Sequence, residues 1–199
     1  MRTFETLEFI GGVLCLDFVN TINSRRESEY DYLQTYSNLT EWAVKVGILT
    51  TPRCNRLLNL AEQDTKTSEN TLRNALMLRE LLYQLFSKLA RRSKPNPEDL
   101  GTFIGFYAEA ISHSTFIKKG GSFVVAWPTD ESLESVLWPI LYSAGQLLLA
   151  KELIRIKGCP NCGWLFLDTS KNQSRRWCSM NTCGARDKMR RYLHRTRMK

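Results

Sequence analysis

Residues 158–184 read GCPNCGWLFLDTSKNQSRRWCSMNTCG, and two close cysteine pairs stand in this stretch. The spacing is Cys159-x2-Cys162, fifteen residues, then Cys178-x4-Cys183. Tetrahedral zinc takes two ligands from each of two tight turns, and pairs separated by a loop of about 15 to 20 residues are the sequence form of that arrangement. Pro160 and Gly163 suit the first turn, where backbone N–H groups must face the thiolates and one residue must be free of Cβ crowding. The expectation is one structural zinc ion. A catalytic zinc usually keeps one position open and includes a histidine or carboxylate, whereas four cysteines close the shell. His194 falls about three helical turns beyond Cys183, too far to share the metal. The competing reading is four unrelated buried thiols. Cys15 and Cys54 have no cysteine or histidine close by in sequence and read as small buried hydrophobes.

Downstream, the last cysteine begins a helix. From Gly184 onward Ala185, Met189, Tyr192 and Thr196 recur at helical spacing, with Arg186, Arg190 and Arg197 on one flank and Lys188, Arg191 and Arg195 on the other. A basic helix launched from a zinc ligand suits a groove of duplex DNA. Lys171, Arg175 and Arg176 lie in SKNQSRRW, a loop able to grip phosphates. The chain has 28 basic and 20 acidic residues, a formal +8, yet residues 151–199 alone carry +10 and the remainder −2. A near-neutral body with a basic head points to a polyanion partner. The alternatives are a solvated basic face and a module that docks a protein partner.

Toward the N-terminus, Ile154/Ile156 and Leu165/Leu167 alternate on either side of the first cysteine pair like two antiparallel strands. A long helix is expected from Asp130 to about Lys151, with Pro139 as a kink or break. STFIKKGGSFVVAWP reads as a β-hairpin around a Lys-Lys-Gly-Gly turn. A helix after SKPNP carries Leu100, Phe103, Ile104, Tyr107 and Ile111, and the clearest helix runs from Ser68 to Arg92. Shorter helices are expected in SNLTEWAVKVG, capped by Ser37 or Asn38 and stopped by Gly47, and in TPRCNRLLNLAEQ, where Thr51 precedes Pro52. A strand is expected over residues 3–10, then a helix. The fold class is therefore α+β: a mostly helical N-terminal body, residues 1–151, with short β-hairpins. A small treble-clef-like or ribbon-like zinc module ending in a helix follows, residues 152–199, with no linker between.

Arg79 falls inside the apolar stripe of the clearest helix, and Asp17 and Asn20 stand within LCLDFVNT. A guanidinium directed at a core must be paired. An internal ion pair with Asp17, or a stem that snorkels outward, answers that requirement. The sharper reading makes Asp17, Asn20 and Arg79 a candidate ligand pocket, with the planar fork taking a small anionic or polar effector.

Enzyme chemistry in the body is the least supported reading. GxGxxG, P-loop and GxSxG motifs are all missing, and His113 and His194 lack metal spacing. MRTFETLEFIGG has no apolar signal region and no run is long enough to span a bilayer, so a cytoplasmic protein with reduced cysteines is expected, without a membrane partner. Nothing in the sequence sets an oligomeric state.

The segments CGWLFLDTS, SRRWCSM and CGARDKMRRY resemble the CGNR-type zinc fingers. GGVLCLDFVNT resembles the start of the ABATE domain, which precedes such fingers in bacterial proteins regarded as stress-related transcription regulators. The resemblance reaches both ends of the chain. It implies zinc on Cys159, Cys162, Cys178 and Cys183 and DNA contact around Arg186. One departure stands out: Ala185 occupies the place of the Asn in the family name. That loses a side-chain amide able to cap the helix or hydrogen-bond a base, while phosphate binding by the arginines is unaffected.

Overall fold

A computed structural model describes residues 4–26, 30–128 and 132–197. Seven α-helices and two antiparallel hairpins follow one another among these residues: α1 (Leu14–Val19), α2 (Tyr36–Lys45), α3 (Thr51–Gln63), α4 (Thr65–Ala90), α5 (Pro97–Ser112), β1 (Thr115–Lys119), β2 (Ser122–Ala126), α6 (Trp138–Leu149), β3 (Ile156–Gly158), β4 (Leu165–Leu167) and α7 (Ala185–Arg197). The class is α+β and mostly helical, as expected.

Helix α4 is the axis. Its stripe of Ala75, Leu78, Leu82, Leu85 and Phe86 is buried, and it packs against α1, α2, α3, α5 and the β3–β4 hairpin. The helix starts where the Asp64 side chain accepts the Thr67 N–H at 2.9 Å, supplying an otherwise orphaned donor with a partner. Helices α5 and α6 pack closely because Gly145 has no side chain: a Cβ there would lie 2.2 Å from the Tyr107 ring.

Several local expectations are corrected. Of the strand expected over residues 3–10, the described residues 4–10 form none; Phe4–Thr6 is a single 3-10 turn. Phe4, Leu7 and Ile10 meet the core at a spacing of three, which a strand's alternation cannot present to one side. The cap of α2 is Thr35, whose hydroxyl accepts the Asn38 N–H at 3.2 Å while Asn38 Oδ1 accepts the Thr35 N–H at 3.2 Å. Asn38 is thus the third helical residue of a capping box. Helix α3 is preceded by Thr50 rather than capped by Thr51. The expected long helix before residue 151 is two pieces, a 3-10 turn at Leu133–Val136 and then α6. Pro139 sits in the first turn of α6, where its missing N–H has no intrahelical role; the expected start at Asp130 lies outside the described residues.

Strands β1 and β2 pair from Thr115↔Ala126 to Lys119↔Ser122 around Gly120-Gly121, as the hairpin reading requires. Strands β3 and β4 pair from Ile156↔Leu167 to Gly158↔Leu165. Trp164, Leu165 and Phe166 are buried in the same hydrophobic cluster as the helices, so the segment carrying the cysteines shares the body's core.

Candidate metal centre and nucleic-acid interface

The first cysteine pair sits in the β3–β4 turn. The turn closes with Cys159 N–H to Trp164 O at 2.8 Å and Gly163 N–H to Cys159 O at 2.9 Å. Gly163 has φ +77, and a Cβ there would lie 2.7 Å from the Arg25 Cβ, so the position needs glycine for both backbone and packing reasons. Cys178 precedes, and Cys183 lies within, the tight turn Met180–Gly184 that leads directly into α7. The Asn161 side chain reaches the Cys183 carbonyl at 3.3 Å and ties the two turns together.

These turns bring the four sulfurs to within 4.8 Å of one another, all on buried residues. Cys162 Sγ lies 3.5 Å from Cys178 Sγ, which in turn lies 3.6 Å from Cys183 Sγ. Sulfurs about 2.3 Å from a tetrahedral zinc stand about 3.8 Å apart, so the cluster has the dimensions of a zinc shell and not of disulfides. All six cysteines are free thiols. Hydrogen bonds from Cys162, Cys178 and Cys183 push the Cys159 thiol far down, while those with Cys159 and Cys162 push Cys178 far up. Four thiolates this close repel one another, and a divalent cation offsets that repulsion. The Trp164 amide at Cys162 and the Cys178 amide at Cys159 favour the thiolate forms. Cys15 and Cys54 are buried apart from this cluster, and burial pushes the Cys15 thiol up to about 12.

The loop between the pairs is organised by a carboxylate that sequence reading did not single out. Asp168 is fully buried and accepts Lys157 Nζ at 2.6 Å, the Ser170 N–H at 2.9 Å, the Ser170 hydroxyl at 2.6 Å and the Arg175 N–H at 3.1 Å. Burial raises its pKa, but the Lys157 and Ser170 contacts outweigh this and hold it well below the usual carboxylate range. The Asp-Thr-Ser run after β4, whose side chains commonly cap turns, was the available signal.

Of the expected basic residues, Lys171, Arg176, Arg186, Lys188, Arg190, Arg191 and Arg195 are exposed. Arg197 ends α7. Arg175 is different: Nε donates to Trp177 O at 3.1 Å, Nη2 donates to the Cys178 and Ile10 carbonyls, and the guanidinium lies 4.3 Å over the Phe166 ring. It braces the loop against the body rather than facing outward. On α7, Asp187 is 4% exposed and holds Arg190 Nη2 at 2.6 Å and Arg191 Nε at 2.7 Å. Met189, Tyr192 and Leu193 are exposed, so the apolar stripe of α7 is uncovered.

The candidate pocket of Asp17, Asn20 and Arg79 resolves into three separate arrangements. Arg79, 4% exposed, forms no pair with Asp17. Its fork is bidentate to Asp31, at 2.7 and 2.6 Å, with further bonds to Thr21 O at 3.1 Å and Glu80 at 3.2 Å. Those contacts use the donors an anionic effector would need. Asp31 was missed because it stands in no periodic pattern. Asp17 accepts the Gly11 N–H at 2.8 Å instead, and burial raises its pKa to about 6. Asn20 bonds the Leu165 backbone through both amide atoms. No helix among the described residues is long and apolar enough to cross a membrane.

Comparison with protein families gives two matches in chain order. A family described as "Putative stress-induced transcription regulator", ABATE, matches residues 12–151, and the CGNR zinc finger family matches residues 155–196. Neither is an enzyme family. No curated protein matches the chain. The ABATE match spans well over half of the sequence and the four-cysteine cluster falls within the finger match: the chain belongs to the ABATE family and ends in a CGNR zinc finger, whose one structural zinc ion Cys159, Cys162, Cys178 and Cys183 are placed to hold.

Proposed function

We propose that the protein is a DNA-binding transcription regulator in which the zinc-held segment, residues 152–199, binds duplex DNA and the body, residues 1–151, senses an effector. The observation that carries this reading is the exposure of α7: from Arg186 to Thr196 every residue but Asp187 faces solvent, and cations flank the helix on both sides. A helix that contributes so little to the core has its cause elsewhere. Lys171 and Arg176 extend the basic surface onto the neighbouring loop. Asp187 fixes the directions of Arg190 and Arg191, each of which keeps donors for a phosphate. Arg175 acts indirectly by shaping the loop. With alanine at position 185, phosphate contacts carry most of the affinity and base reading falls to the long side chains of α7.

A second reading, an adaptor that docks a protein, is favoured by the exposed Met189, Tyr192 and Leu193. Selection of bound duplexes from a random pool, with zinc present and again with chelator, separates the two. The regulator reading expects an enriched sequence set that disappears with chelator. A pool that stays unenriched with zinc present leaves non-specific phosphate binding or the adaptor, and of these only phosphate binding weakens steeply as salt rises.

A further inference from the structure

We propose that the cleft between α4, α5 and α6 is a binding site for a small organic cation, an amine carrying an apolar group. The cleft encloses about 210 Å³, the liquid volume of about seven waters, which suits a ligand of under about a dozen non-hydrogen atoms. Its floor is apolar: Leu78, Leu137, Trp138 and Leu141 line it and are buried. Its polar members are Glu109, which is exposed, and Asn74 and Glu134, which are half-buried. The polar groups therefore stand toward the mouth and the apolar surface lies beneath them. No lysine, arginine or histidine lines the cleft.

The donors and acceptors at the mouth are unbalanced in one direction. Neither glutamate belongs to an ion pair among the described residues. Asn74 Nδ2 lies 3.2 Å from Glu134 Oε1. A carboxylate can only accept, so the amide must present its NH2 to Glu134 and its carbonyl oxygen is left as an acceptor. Two carboxylates and one amide oxygen thus line the same space against only the two N–H groups of Asn74, one of them already engaged by Glu134. An ammonium group supplies what is missing, up to three donors and one positive charge. An anion would meet two like charges. A hydrated metal ion would gain nothing from the apolar floor, whereas an aliphatic or aromatic amine covers it. The chemistry is opposite in sign to the effector expected at Arg79.

The site stands in the body and does not depend on the DNA reading. Only its regulatory consequence does: α4 carries Asn74 and Leu78 of the cleft and, within the next two turns, Arg79 and Tyr83. Arg79 holds Asp31, and the Tyr83 ring lies under Arg25, whose N–H bonds Cys162 O at 2.8 Å. A ligand that favours one position of α4 has a short route to the zinc turn.

The test is calorimetric and thermal-shift titration of the zinc-loaded full chain, without DNA, using phenethylamine and 3-phenylpropionate. The two probes share an aromatic body and differ in the sign of the head group. Saturable binding and a rise in melting temperature are expected for phenethylamine and absent for 3-phenylpropionate and for magnesium chloride. Glu109→Gln/Glu134→Gln, whose sites are solvent-accessible and whose fold is checked by zinc content, should weaken phenethylamine at least about tenfold. No saturable phenethylamine binding, equal binding of the carboxylate, a magnesium response, or unchanged affinity in the double variant would each overturn the proposal.

Discussion

Asn20 and Leu165 are joined by a closed pair of hydrogen bonds, with the amide Nδ2 donating to the Leu165 carbonyl at 2.8 Å and Oδ1 accepting the Leu165 N–H at 3.0 Å. The pair is buried and links the end of α1 to β4. Trp164 Nε1 to Ile22 O at 2.7 Å and Leu167 N–H to Gly11 O at 2.8 Å lie beside it. The zinc turn is therefore stitched to the body by backbone as well as by packing. Asn20→Ala leaves both Leu165 groups unsatisfied and should cost about 2–3 kcal/mol. In urea, loss of helix and exposure of the cysteine thiols should keep one common midpoint. Release of the cysteines at clearly lower urea than loss of helix would contradict the coupling.

Metal removal should follow the same logic. Cys178→Ser, or chelation, removes a metal link to a hairpin whose Trp164, Leu165 and Phe166 lie in the body's core. The expected result is a lower melting temperature for the whole chain and zinc content falling from about one ion per chain. A helical signal that melts unchanged would show the core to be independent of the metal.

Arg79 and Asp31 make the next prediction. Asp31→Asn leaves the buried Arg79 guanidinium with only the more exposed Glu80 as counter-charge and should cost about 2–4 kcal/mol. Adding Arg79→Met removes the stranded charge, so the double variant should be more stable than Asp31→Asn alone. Simple additivity of the two single effects in chemical denaturation would refute the pairing.

Asp17 carries a pH signature. Its pKa rises from 3.8 unfolded to about 6 folded because burial disfavours the charged carboxylate. Folding is thus favoured by the protonated form: that contribution is complete below the unfolded value and is lost as pH rises through about 6. Asp17→Asn keeps an acceptor for the Gly11 N–H and never ionises. Its stability relative to the parent should rise between pH 4 and pH 7, by about 2–3 kcal/mol for a shift of this size. A difference that stays flat with pH would place Asp17 in an ordinary solvated setting.

The parts legible in the sequence are those whose cause is local. Two ligands three residues apart and two more five apart announce a metal whatever surrounds them, and the stripe of α4 needs only its own periodicity. What escaped reading is non-local or depends on absent partners. Arg79 meets Asp31 across 48 residues and Asn20 meets Leu165 across 145, and no spacing rule connects such positions. Asp17, nearer in type and pattern, was the natural but wrong partner for Arg79. Residues 3–10 contain β-formers, yet among the described residues 4–10 none pairs with a strand, and Phe4, Leu7 and Ile10 settle on the core three apart. Pro139 was recognised as a disruption, but it begins α6 rather than bending it.

Arg175 and the exposed cations should separate in their effects. Arg175→Ala removes bonds to the Trp177, Cys178 and Ile10 carbonyls and should lower stability by about 1–3 kcal/mol. At temperatures where the variant stays folded, the salt dependence of its DNA binding should match the parent's. A reduced salt dependence would place its guanidinium on a phosphate.

Duplex DNA binding by the zinc-held basic surface should show itself first in its response to salt. The affinity of the zinc-loaded chain for a labelled duplex should fall linearly on logarithmic axes between about 50 and 200 mM salt, with a slope near −0.9 per phosphate contact. Arg186→Ala/Lys188→Ala/Arg195→Ala should flatten that slope by about three units while leaving zinc content and melting temperature unchanged. A parent slope near zero would rule out phosphate binding by the chain, and the same slope in the triple variant would rule it out for this surface.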